Sequence, residues 1–199
     1  MAIDGRGGSG KSTLARQLAK GWPKAAVVEV DDFYRPAGER VERPAVHGAN
    51  FDRERLAREV LEPLASGRAA RYQRYDWDED HLAEWHDVAA DAVVLVDGVY
   101  STSELLRGYF DHTIWVDCPY DLRLQRGIER DGEQMRAVWV QEWMPAENRY
   151  VEGEEPDTRA DLVLDGSGSG ADGLVFKVLR ARNPAAGGLR GDREGPANG

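Results

Sequence analysis

The chain has 199 residues, 41% of them hydrophobic, and carries 36 acidic against 26 basic side chains for a net charge of −10. That length suits one α/β-sized domain with a buried core, and the negative balance argues against a nucleic-acid polymer as partner, because phosphate contacts need clustered cations. The single cysteine, Cys118, excludes an internal disulfide and a cysteine-built zinc site, while no apolar stretch approaches the roughly 18 residues of a membrane span or forms a secretory core, so the expected location is the cytoplasm.

The chain opens MAIDGRGGSGKSTLARQLAKG, in which Gly5, Gly10, Lys11 and Ser12 fit G-x-x-x-x-G-K-[ST], the pattern of a loop that cradles phosphates. Successive backbone N–H groups make an anion-binding nest there, and the helix that follows adds its positive dipole end. Glycines let the backbone come within hydrogen-bonding distance of phosphate oxygens. In this pattern Lys11 reaches the β- and γ-phosphates and the Ser12 hydroxyl ligates Mg²⁺, so ATP and Mg²⁺ are the expected cofactors. Gly5, Gly7, Gly8, Ser9, Gly10, Lys11, Ser12 and Thr13 are the candidate nucleotide-binding residues. Only Met1, Ala2 and Ile3 precede Asp4. The strand before the loop is therefore expected to be clipped, or to begin upstream of Met1, with some loss of stability.

STLARQLAKG reads as a helix closed by Gly21 and Pro23, and 25–30 as a short buried strand running into DDFYRP. Residues 51–67 are amphipathic with Leu56, Val60, Leu61 and Leu64 at helical spacing, and 68–88 read as irregular or hairpin structure rich in aromatics and charge. AVVLVDG (92–98) is the clearest central strand, an apolar run of the kind a parallel sheet buries on both faces. A short helix over 102–109, a strand over 112–117, helices over 120–132 and 133–151 and a strand over 161–166 follow. GSGSGADG and the tail from about 182 have the composition of linker and disorder, which leaves 1–181 as one domain. Strands alternating with helices predict a doubly wound parallel sheet with helices on both faces.

The loop alone does not separate kinase, ATPase and GTPase. No N-K-x-D or LSGGQ-type motif is present, and the chain is too short for a large motor domain; a small-molecule kinase remains. Asp31 and Asp32 lie past the carboxyl end of a predicted strand, where open α/β sheets bind ligands. A carboxylate there can accept the acceptor hydroxyl's proton or align that hydroxyl with the γ-phosphate. Arg123, Arg126 and Arg130 share one face of a predicted helix, where they suit a lid over the transferring phosphoryl group. Trp139, Trp143 and Tyr150 read as core packing rather than as a base-stacking platform.

In order, GRGGSGKST, DDFYRP, YDW, VLVDGVY and RLQRGIERDG resemble the phosphoribulokinase/uridine kinase family of P-loop kinases, over about residues 2–166. The likeness is greatest to its uridine kinase-like members. The resemblance implies a P-loop NTPase fold with an arginine-bearing lid helix and transfer of the γ-phosphoryl group of ATP to a small-molecule hydroxyl, the 5′-OH of uridine or cytidine foremost. It assigns catalysis to Asp31, Lys11, Arg126 and Arg130. Tyr34, Tyr75 and Asp76 join Asp31 at the acceptor. Asp97, where uridine kinases usually have Glu, joins Ser12 at the metal. One segment departs: where such kinases carry an acidic D-H-P-D before the helix, this chain has VHGAN (46–50), with Val46 and Ala49 in place of the acids. A pantothenate-, glycerate- or ribosylpyridine-like acceptor is therefore the alternative, and a nucleotide-binding regulatory protein without turnover is the alternative of another class. A homo-oligomer is allowed by the sequence and not required.

Overall fold

The computed structural model describes residues 1–40, 48–170 and 173–182; Val46, His47 and the tail 183–199 lie outside the described residues. β1 (Ala2–Asp4) leads through the glycine loop to α1 (Lys11–Ala19) and β2 (Ala25–Glu29). A helical run of α2 (Arg53–Leu56) and α3 (Glu62–Ala65), the hairpin β3 (Ala70–Asp76) and β4 (His81–Val88), and β5 (Val93–Asp97) follow. The rest is β6 (Thr113–Asp117), α4 (Tyr120–Asp131), α5 (Arg136–Val138), α6 (Met144–Glu154), α7 (Pro156–Arg159), β7 (Leu162–Gly170) and β8 (Gly173–Ala181).

The main sheet runs β2-β5-β1-β6-β7-β8. Its pairs are parallel except β7 with β8, and β3 and β4 form a separate two-stranded antiparallel sheet. Though only three residues long, β1 is buried throughout and lies at the sheet's centre. Its ladder is satisfied on both sides: Ala2 N–H donates to the His112 carbonyl at 2.9 Å, and the Met1 carbonyl accepts from Val96 N–H at 3.0 Å. A strand of three residues thus suffices to deliver the loop to the carboxyl edge.

Three apolar clusters flank the sheet. Leu14 and Ala15 of α1 pack with Ile3, Ile114, Val116 and Leu164. Trp115, alternating to the other face, packs with Tyr150 of α6 and Tyr100. Leu56, Val60 and Leu61 bury Val28, Val96, Phe33 and Tyr72. Helices therefore cover both faces, as expected of a doubly wound sheet.

Three sequence expectations need correction. GSGSGADG is not a linker at its start: β7 runs through Gly170 and turns back as the antiparallel edge strand β8. Glycine and serine masked the strand, but Phe176 in the following apolar segment joins the α1 cluster and draws the ribbon onto it. Residues 102–109 form turns and one 3₁₀ turn, Arg107–Tyr109, rather than a helix. Thr102 instead gives both its amide and its hydroxyl to Asp4. The two longer helices are each interrupted by a π turn, Ala57–Leu61 and Trp139–Trp143. Both precede a proline, Pro63 or Pro145, whose missing N–H and bulky ring oppose a regular i→i−4 ladder, and the wider turn accommodates it.

Candidate active site

The loop between β1 and α1 closes with Gly10 at φ 101°, a left-handed cap that only glycine adopts without strain. Gly5 N–H is held by Asp4 Oδ1 at 2.7 Å. Lys11, at the first turn of α1, is buried and donates Nζ–H to the Arg6 carbonyl at 3.3 Å. Ser12 and Thr13 follow in the same turn, both partly exposed. Among the described residues the buried Ser9 hydroxyl has no partner. These residues form the wall on which a chain of phosphates can lie.

Asp31 stands in the 3₁₀ turn Val30–Phe33 directly after β2. It is exposed at the surface, yet the protein around its carboxyl desolvates it and raises its pKa, while the charges of Lys11 and Arg130 pull the other way. The aspartate pair is split. Asp32 points toward the hairpin and accepts from the Tyr72 hydroxyl at 3.1 Å.

Asp97, at the end of β5, is 2% exposed, and its Oδ1 has no hydrogen-bond partner among the described residues. Desolvation pushes its pKa up to about 6, against Lys11 and a hydrogen bond with the Ser12 side chain; Asp31 and Glu29 add to the rise. Among the described residues no three His, Cys, Asp or Glu side chains cluster as a cage for a metal ion. Two oxygen donors, Ser12 and the orphaned Asp97 Oδ1, suit a Mg²⁺ that is delivered with phosphates and keeps its other ligands as phosphate oxygens and water.

Aromatic rings form the wall beyond Asp31. Tyr34 stacks on Trp77 with centroids 4.5 Å apart and meets Phe51 edge-on at 5.0 Å. Tyr75 is buried, takes a hydrogen bond from Arg40 at 2.6 Å and donates to Asp80 Oδ1 at 2.6 Å. Its pKa is pushed up to about 12, first by desolvation and then by Asp80. Arg40 also pairs with Asp80 and lies 5.0 Å over the Tyr34 ring. Asp76 is engaged by the hairpin: it accepts from the Asp78 and Glu79 amides and pairs with Arg74 at 2.8 Å. Those contacts are local turn chemistry.

The α4 arginines do not act as one open face. Arg123 is buried against Glu147 at 3.2 Å and donates to the Cys118 carbonyl at 3.1 Å. Arg126 donates to the Gly166 carbonyl at 2.9 Å and the Gly8 carbonyl at 3.4 Å. Arg130 pairs with its neighbour Asp131 at 2.7 Å and is the one of the three whose charge reaches Asp31. Trp139 is core, as expected, but its indole also donates to Asp131 at 2.9 Å.

Sequence reasoning missed Asp4, Thr102, Arg40, Asp80, Glu147 and Asn148. Asp4 directly before the loop was a visible signal. Glu147 and Asn148 had none, since their partners lie about 140 residues away in sequence.

A glycine loop after a central strand, a lysine and serine at the start of α1, and carboxylates at the ends of β2 and β5 define a P-loop phosphotransferase. The profile of the phosphoribulokinase / uridine kinase family matches residues 1–163, and the chain belongs to that family, as a kinase transferring phosphate to a hydroxyl group. The chain is 28% identical over 196 residues to a uridine kinase of Halobacterium salinarum, covering 91% of this chain and 86% of that one. It is also 28% identical to a uridine kinase of Staphylococcus haemolyticus, covering 85% and 88%. A solved structure titled a possible uridine kinase from Bacillus stearothermophilus aligns with TM-score 0.64 at 26% identity, covering 81% of this chain and 85% of that one. Phosphoribulokinase from Rhodobacter spheroides shares the fold at TM-score 0.58 and 20% identity, covering 92% and 80%. Among the described residues no helix is long and apolar enough to cross a membrane.

Proposed function

We propose that this kinase transfers the γ-phosphoryl group of ATP to the 5′-OH of a pyrimidine nucleoside such as uridine or cytidine. Asp31 carries the reading: it is the open carboxylate at the end of β2 that shares the charge field of the loop lysine. Names of relatives at about 28% identity support the nucleoside.

Gly5 through Thr13 bind the triphosphate, with Lys11 on the β- and γ-phosphates. Ser12 and Asp97 would hold Mg²⁺, which would supply neutralising charge to the phosphates. Asp31 accepts a hydrogen bond from the acceptor hydroxyl, aligns it with the phosphorus and takes its proton as the O–P bond forms. Because the transferring group passes through a loose transition state, position and charge matter most. Arg130 supplies charge from α4, and Arg126 acts through the Gly8 carbonyl it holds. Tyr34, Tyr75 and Trp77 wall the acceptor.

A second reading, a different hydroxyl acceptor, is favoured by VHGAN at 46–50: Ala49 offers no carboxylate to a ribose diol, and its carbonyl instead accepts from Arg35 at 3.2 Å. A coupled ADP-release assay with uridine, cytidine and non-nucleoside alcohols distinguishes the two by which acceptor raises turnover above background. Asp31→Asn is the test of mechanism. We expect kcat to fall about 10³-fold, within the span of general-base contributions, while ATP affinity stays within about twofold. Activity within tenfold of the parent removes Asp31 from this role.

A further inference from the structure

Helix α6 grips the phosphate loop at consecutive positions. Glu147 Oε1 accepts from the Gly7 N–H at 2.9 Å. Asn148 Oδ1 accepts from Arg6 Nε–H at 3.1 Å. One turn along, the Tyr150 hydroxyl donates to Asp4 Oδ2 at 2.7 Å, and the other oxygen of Asp4 holds Gly5 N–H. From Asp4 to Gly7, every residue of the loop's entry is therefore tied, directly or through Asp4, to a side chain of one helix.

Glu147 is the centre of this contact. It is 5% exposed, and its second oxygen pairs with buried Arg123 at 3.2 Å. Arg123 in turn reaches the Gly7 carbonyl at 3.5 Å, so α4 and α6 hold both polar groups of the same peptide segment. A Cβ on Gly7 would stand 2.7 Å from Glu147 Oε1 and 2.9 Å from the Trp139 ring, which explains a glycine here on packing grounds alone. A buried carboxylate beside an anion-binding loop works against phosphate affinity unless it does something in return. Burial pushes the Glu147 pKa up, and Lys11, the Gly7 amide and Arg123 oppose that rise.

We propose that Glu147 is a positioning residue for nucleotide binding: its carboxylate fixes the Gly7 amide and so sets the shape of the phosphate nest. The inference rests on the reading of the loop as the ATP site. A nest presents several N–H groups to one anion, and its affinity depends on those groups converging before the anion arrives.

The test titrates ATP with Mg²⁺ onto the full chain by calorimetry, with steady-state kinetics and melting temperature measured alongside. Glu147→Ala is expected to weaken ATP binding about tenfold, equivalent to about 1.4 kcal/mol, and to raise the KM for ATP alike. The KM of the acceptor that turns over stays within about twofold. Glu147→Gln, which keeps an oxygen for the Gly7 N–H, recovers ATP affinity to within about threefold of the parent. Undiminished ATP affinity in Glu147→Ala overturns the proposal, as does a glutamine variant no better than alanine, or equal damage to both KM values. Should Glu147→Ala not fold, Glu147→Asp, whose shorter side chain draws the carboxylate back from the Gly7 N–H, carries the test. It is expected to weaken ATP about threefold and leave the acceptor KM alone; no change in ATP affinity then overturns the proposal. A parent chain that binds no ATP overturns the nucleotide reading itself, whereas a parent that binds ATP with an indifferent alanine variant removes only Glu147.

Discussion

The proposed donor and acceptor halves of the cleft are held by different means. On the donor side, buried charge does the holding: Asp4, Arg123 and Glu147 are each at most 5% exposed and each is bonded to the phosphate loop or its neighbouring peptide. On the acceptor side, rings and half-exposed polar groups predominate: Trp77 is 48% exposed on Tyr34, and Arg40, Tyr75 and Asp80 form a small partly buried cluster. The donor half belongs to the main sheet, whereas much of the acceptor wall stands on the separate β3–β4 hairpin. Phosphate chemistry is common to every acceptor, so its residues can be locked into the core. An acceptor wall on an appended ribbon can change without disturbing the sheet. That ribbon is itself held by contacts with the aspartate turn, through the Phe33–Tyr72 stack at 5.0 Å and the Arg55 bonds to the Asp32 and Gln73 carbonyls.

Substitutions can break or sharpen this contrast. The largest effect is expected from Arg123→Ala, which leaves the Glu147 carboxylate buried and unpaired. Breaking such a pair costs about 3–5 kcal/mol, so chemical denaturation should show a midpoint shift of that size, accompanied by weaker ATP binding. A loss under about 1 kcal/mol would make the donor side no more rigid than a surface. Asp97→Asn runs the other way. Removing a desolvated charge whose Oδ1 has no partner should raise nucleotide-free stability by about 1–2 kcal/mol, seen as a melting temperature several degrees higher, while Mg²⁺-dependent turnover is lost. An unchanged melting temperature would show the carboxylate to be satisfied after all. The smallest stability change belongs to the acceptor side. Trp77→Ala should leave melting within about 0.5 kcal/mol and the ATP KM unchanged, yet raise the acceptor KM about tenfold through loss of one aromatic contact. An effect of Trp77→Ala on ATP would merge the two halves into one.

Much of the donor side was legible in the sequence, because its signals are local. Gly5 to Ser12 lie in one loop, and the left-handed Gly10 and the helix opening at Lys11 follow from residue type. The alternation of apolar strands with helices predicted the sheet and its two covered faces. The choice of Asp31 over Asp32 rests on a family pattern, and only the fold shows that Asp32 is engaged by Tyr72 of the hairpin. The lid arginines were less legible. Spacing put Arg123, Arg126 and Arg130 on one face, but a helical face does not say what packs against it, and Glu147 and Gly166 occupy the first two. Asp76 is assigned to the acceptor by the family's Y-D-W pattern, while its own bonds close the hairpin turn.

By itself the sequence determined the phosphate loop, the apolar strands of the parallel sheet and the chemistry available at the strand ends, since each depends on residues within a turn or two of one another. Tertiary structure alone decided that a three-residue β1 stands at the centre, that a glycine-serine stretch becomes an edge ribbon and that α6 takes hold of the loop. Those outcomes depend on burial and on partners up to about 140 residues distant, where desolvation makes each unpaired polar group costly and so selects the one arrangement that pairs them.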